Sequence, residues 1–119
     1  MFFNNVALAL GLAASIAPTD AFFRMSCPGR VARERLDPVV SPGMVSGHVH
    51  TISGGAGFGP SMTFEGARAS KCSSCEIKED MSNYWTPQLY VHAKNGSFFT
   101  VPVAGDGQDT NGGMTVYYL

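Results

Sequence analysis

The sequence is short of charge, and the charge it has is nearly balanced. Only 14% of its 119 residues are Asp, Glu, Lys or Arg, against about a quarter in an average domain. The formal net charge is −1. No basic patch, acidic tail or internal repeat stands out, which argues against nucleic acid or an anionic membrane surface as a partner. Imidazole is equally scarce, so any histidine chemistry must come from His48, His50 and His92. Cysteine is odd in number, and Cys27, Cys72 and Cys75 cannot all pair within the chain. Several motifs are missing. There is no G-x-S-x-G nucleophile elbow. Gly55-Ala56-Gly57-Phe58-Gly59 lacks the spacing of a dinucleotide fingerprint, and no Lys follows it as a phosphate loop requires.

What is present is turn-forming and aromatic. The chain has 14 Gly and 7 Pro, is 45% hydrophobic and is 11% aromatic. A single small domain of this composition points to β structure rather than a helical bundle. The one long apolar run, residues 6–16, sits at the N-terminus and is too short to span a bilayer comfortably. Small residues follow it, and Thr19-Asp20-Ala21 fits a cleavage site. Residues 1–21 therefore read as a signal peptide, although Lys and Arg are missing ahead of the run. The plainer alternative is a buried first helix. Cleavage makes residues 22–119 an exported chain with no further membrane segment, and a mature N-terminus at Phe22 rules out a copper brace built on an N-terminal histidine.

Along the mature chain, Cys27-Pro28-Gly29 forces a turn, and residues 37–40 read as extended because the residue before Pro avoids the helical region. Residues 46–52 read as a short strand, and residues 53–60 as a glycine-rich loop. Residues 61–70 are the best helix candidate, weakened by Gly66. Residues 88–94 and 97–103 flank Asn95-Gly96, a two-residue hairpin signal that sets His92 opposite Phe99 and Tyr90 opposite Val101. Residues 114–119 form an apolar strand expected to be buried on both faces. The pattern stops inside that strand. With the odd cysteine, this reads as the N-terminal part of a larger, truncated domain. The expected architecture is mainly β: a partial β-sandwich or jelly-roll-like domain with long Gly/Pro-rich loops and at most one short helix.

Export makes disulfides the default for Cys27, Cys72 and Cys75. Cys72-Ser-Ser-Cys75 lacks the second pair of a zinc ribbon and the strand–helix context of a redox pair, so a structural disulfide is the plainer reading. Asn95-Gly96-Ser97 is the only N-glycosylation sequon, and it falls on an expected exposed turn.

Several long motifs occur in order: FFRMSCPGR, ERLDPVVSPG, SGHVHTISGGAGFG, ARASKCSSC and MSNYWTPQLYVHAKNGSFFTVPV. Together they resemble the secreted, mostly fungal "domain of unknown function nineteen ninety-six" family, whose members sometimes carry cell-wall-binding WSC modules. The resemblance runs from residue 22 to residue 119. It implies secretion and work at the cell wall or outside the cell, and it implies a domain that continues with further His- and Asp-containing motifs. It supplies no reaction.

His48-Val49-His50 would place two imidazoles on one face of a strand, and His92 could add a third. That set suits zinc or copper. The alternatives are structural hydrogen bonding and acid–base catalysis. Asp37, Glu65, Glu76, Glu79 and Asp80 could include a glycosidase pair, but most read as solvated surface, the cluster at residues 76–80 above all. Tyr84 and Trp85 could stack on sugar rings, or belong to the core. Two functions follow. One is a metal-dependent or acid–base enzyme acting on cell-wall polysaccharide or glycoprotein. The other is a non-catalytic, wall-associated glycan-binding or structural domain.

Overall fold

A computed structural model describes residues 22–102 and 113–118. The leader expected at residues 1–21, most of the polar stretch at residues 104–113, and Leu119 lie outside the described residues. Among the described residues the fold is mainly β, with seven strands and one five-residue helix. The strands form three antiparallel sheets: β1–β7, β2–β3–β4 and β5–β6.

Strand β1 (Phe23–Cys27) ends where Pro28-Gly29 breaks the ladder. It pairs with β7 (Met114–Tyr118), from Phe23 opposite Tyr118 to Cys27 opposite Met114. Alternation sends Met25 and Cys27 inward, where both are fully buried. β7 is buried on one face only. Met114 and Val116 pack on the core while Tyr117 stays 58% exposed. The expected two-sided burial fails because β7 sits beside β1 alone, with no layer over its outer face among the described residues.

Strand β3 (His50–Gly54) is the centre of the second sheet, between β2 (Ala32–Glu34) and β4 (Asn83–Pro87), and all five of its residues are buried. The strand expected at residues 46–52 thus begins later and runs into the glycine-rich segment. Local hydrogen bonds hold residues 46–49 out of the ladder: Ser46 Oγ donates to the His48 carbonyl at 2.5 Å, and Arg35 Nε donates to the Ser46 carbonyl at 2.9 Å. Gly54 then allows a close crossing. Its φ is +106°, and a Cβ there would stand 2.0 Å from the Ser82 carbonyl oxygen. The glycines therefore serve backbone approach, here to residues 81–83.

The helix α1 (Phe64–Arg68) is half the expected length and buries nothing. Thr63 caps it, with Oγ1 accepting from Gly66 N at 3.1 Å. Residues 38–40 turn instead of extending. Asp37 accepts from the backbone N–H groups of Val39 (3.0 Å) and Val40 (2.9 Å), and Ser41 N reaches the Asp37 carbonyl at 2.9 Å.

The hairpin forms, but its register is one residue off the expected one. In β5 (Tyr90–His92) and β6 (Phe98–Thr100), His92 faces Phe98, Val91 faces Phe99 and Tyr90 faces Thr100. The loop has three residues, because Ala93 N bonds the Ser97 carbonyl and Gly96 N bonds the Ala93 carbonyl. A two-residue type I′ turn needs φ > 0 at both central positions. Here only Gly96 (φ +87°) takes that conformation, and Asn95 does not.

The small core is Met25, Cys27 and Cys75, with Tyr84, Met114 and Val116 packed on it. Cys27 and Cys75 form a disulfide, and Cys72 is free and exposed. The C-x-x-C spacing is therefore not a bridge. Beside the disulfide, Glu76 N donates to the Ser26 carbonyl and Ser26 N donates to Glu76 Oε1, both at 2.9 Å. Glu76 is exposed, as expected, and also ties itself to β1 through these bonds.

Candidate functional site

The side chains that carry chemistry converge on one face of the second sheet. In the β3–β4 ladder His50 stands opposite Pro87 and Ile52 opposite Trp85, so His50, Ile52 and Trp85 share that face. The turn at residues 37–40 brings Asp37 against it. His50 Nδ1 donates to the Leu36 carbonyl at 2.7 Å, the carbonyl being able only to accept. Its Nε2 then points toward Asp37 Oδ2, 4.0 Å away. The ring of His48 meets that of His50 edge-on, with centroids 4.5 Å apart. Trp85 lies against Phe58 of the glycine-rich loop at 5.6 Å, and both rings are half-buried.

The Asp37 carboxyl is held below the usual carboxylate range. The backbone N–H of Val40 does most of this, against a desolvation cost, and the Val39 N–H, the nearby His50 and the Trp85 side chain add to it. One continuous set of contacts therefore runs His48–His50–Asp37–Trp85–Phe58. It places two imidazoles and a carboxylate beside two aromatic faces. Hydrogen-bonding groups next to ring faces can hold a sugar ring, whose hydroxyls need polar partners and whose C–H face needs an apolar one.

His50 is only 4% exposed, whereas His48 is open to solvent. His92 is not in this set. It sits on the exposed hairpin, stacked on Phe98 at 4.5 Å and 7°. Among the described residues, no three His, Cys, Asp or Glu side chains gather in a group that could hold a metal ion. His92 lies on β5, which among the described residues pairs with β6 in a sheet separate from that of β3.

Tyr84 and Trp85 part company, as neighbours on a strand must. Tyr84 turns to the disulfide core, where its hydroxyl donates to Asp80 Oδ2 at 2.6 Å and meets the Tyr118 hydroxyl. Burial first, and the Asp80 carboxylate second, push the Tyr84 phenol far above its ordinary range. Asp80 shifts the other way. Desolvation raises its carboxyl, but the hydrogen bonds from Tyr84 and Ser82 outweigh it and leave a net lowering. Asp80 is thus a half-buried acceptor tied to Tyr84 and Ser82. An open cleft of ≈ 570 Å³ lies between α1 and residues 79–82. Of its two acids, Glu79 and Asp80, the second is already bonded to Tyr84, and its Arg68 guanidinium covers the Phe64 ring at 5.6 Å.

Asp37 and Phe58 join the site, although neither stood out in the sequence as part of it. The visible signal for Asp37 was Asp-Pro, a turn initiator whose carboxylate caps the turn. Nothing local announces Phe58. Asn95 is exposed at the hairpin tip.

No curated protein and no solved structure matches the chain. A family model described as "Domain of unknown function (DUF1996)" matches residues 37–119, from the site's own Asp37 onward. The chain belongs to this DUF1996 family.

Proposed function

We propose that this chain is a glycan-binding part of an extracellular, wall-associated protein, and that its contact corner is His48, Asp37, Trp85 and Phe58, with His50 behind them. The observation that carries this reading is the half-exposed Trp85–Phe58 pair beside a carboxylate and two imidazoles. The buried His50 braces the corner through Leu36 and Asp37. The leader-like residues 1–21 and the Cys27–Cys75 disulfide support an extracellular setting. The partner is extracellular or cell-wall polysaccharide, or a glycoprotein glycan.

One observation favours a second reading, an acid–base or metal-dependent enzyme acting on the same glycans. With Nδ1 tied to Leu36, a neutral His50 turns a bare Nε2 toward the carboxylate oxygen of Asp37. Two acceptors facing each other attract a proton or a cation. Zinc or copper there would start from His50 and Asp37, and a third ligand would have to come from outside the described residues.

The test is a glycan array probed with the secreted chain beside its Trp85→Ala and His48→Ala variants, together with metal content by mass spectrometry. Saccharide binding that falls at least tenfold in Trp85→Ala, with no stoichiometric metal, supports the binding reading. About one zinc or copper per chain, lost in His48→Ala/His50→Ala, supports the enzyme. Binding untouched by both single substitutions removes this corner from the function.

A further inference from the structure

The β5–β6 hairpin exposes apolar side chains on both faces: Val91 at 55%, Phe98 at 65% and Phe99 at 59%. Single exposed apolar residues are ordinary, but a whole hairpin of them needs a cover or invites association. At its tip lies Lys94-Asn95-Gly96, all three exposed. Asn95 Oδ1 accepts from both Ser97 N, at 3.1 Å, and Ser97 Oγ. These bonds take the oxygen of the amide and leave Nδ2, the atom that N-linked sugars bond, outside the turn's own bonding. Among the described residues, the two strands pair only with each other.

We infer that Asn95 carries an N-linked oligosaccharide, and that this glycan screens the exposed apolar hairpin. The inference rests on the extracellular reading above, because the sugar donor meets the chain during export. Nδ2 of Asn95 displaces diphosphate from the anomeric carbon of a polyprenyl-diphosphate oligosaccharide. A C–N bond forms, the C–O bond to diphosphate breaks, one amide proton passes to the transferase, and polyprenyl diphosphate leaves. Gly96 and Ser97 complete the N-x-S/T acceptor. The attachment point lies in the exposed loop between the two strands, outside both.

The experiment expresses the full chain, with its own leader, in a eukaryotic secretory host. Intact mass and peptide mapping are read before and after treatment with an amidase that releases N-glycans. The expected result is secreted protein heavier by one glycan, with Asn95 converted to Asp on release. Asn95→Gln and Ser97→Ala should abolish the extra mass, and Ser97→Thr should keep it. Released protein should bind an apolar dye several-fold more strongly than the glycosylated form, and Phe98→Ser/Phe99→Ser should cancel that gain. Secreted protein with an unmodified Asn95 overturns the assignment while leaving the extracellular reading intact. A chain retained in the cytosol overturns both. Dye binding unchanged by glycan release overturns the screening role.

Discussion

At the scale of single residues, Asp37 does the most. Its carboxylate closes the turn at residues 37–40 through Val39 and Val40, and it faces His50 across 4.0 Å. Those contacts favour the ionised form, so the folded pKa lies below the ordinary 3.8. A depressed carboxylate contributes stability that is present above the unfolded value and is lost as pH falls through the folded one. Asp37→Asn should therefore lower the unfolding midpoint at neutral pH. The gap from the native chain should close as the pH drops below 3.8. Urea titrations at several acidic pH values read this directly, and two parallel curves would contradict it. Asp37 was visible in the sequence as one carboxylate among several. Only the fold distinguishes it from Asp80, which serves Tyr84, and from Glu76, which serves Ser26.

At the scale of elements, four of the seven described strands were legible and their edges were not. Alternation and Gly/Pro punctuation located β5, β6 and β7 to within a few residues, whereas β1, β2 and β4 were not read as strands. β3 moved because side-chain hydrogen bonds around Ser46 compete with the ladder, which period-two patterning does not register. The hairpin register slipped by one because Asn95 keeps a negative φ and leaves the left-handed position to Gly96 alone. Gly54 is the element-level joint. Gly54→Ala adds a Cβ 2.0 Å from the Ser82 carbonyl at a φ of +106°, and neither backbone segment can yield cheaply. The expected cost is about 2 kcal/mol or more. Gly29→Ala, where a Cβ meets nothing within 4 Å, should stay within about 0.5 kcal/mol. Equal losses from the two would refute the close-crossing argument.

At the scale of the whole molecule, the Cys27–Cys75 bridge ties the β1–β7 sheet to the loop that leads into β4, across 48 positions of chain. Among the described residues the buried apolar core is only a few side chains, so cross-linking bears much of the load there. Removing the bridge with Cys27→Ser/Cys75→Ser should cost about 2–4 kcal/mol in denaturant unfolding. Cys72→Ser should change stability by no more than about 0.5 kcal/mol, since that thiol is exposed and unpaired. A destabilised Cys72→Ser, with no free thiol in the native chain, would mean the pairing runs otherwise.

Composition, periodicity and turn signals established the strand-rich class, the short weak helix and the hairpin at Asn95-Gly96, and the long motifs read in order carried the family resemblance. Each of these rests on local chemistry: turn glycines, alternation and side chains read in order. The tertiary structure decided what depends on distance through space. It chose Cys75 over Cys72 as the partner of Cys27. It separated Tyr84 from Trp85 onto opposite faces, and it left His92 on its own hairpin. It also carried Asp37 and Phe58 to the histidine corner. Residues far apart in sequence meet only when strands choose partners and loops close, and no spacing along the chain encodes that choice.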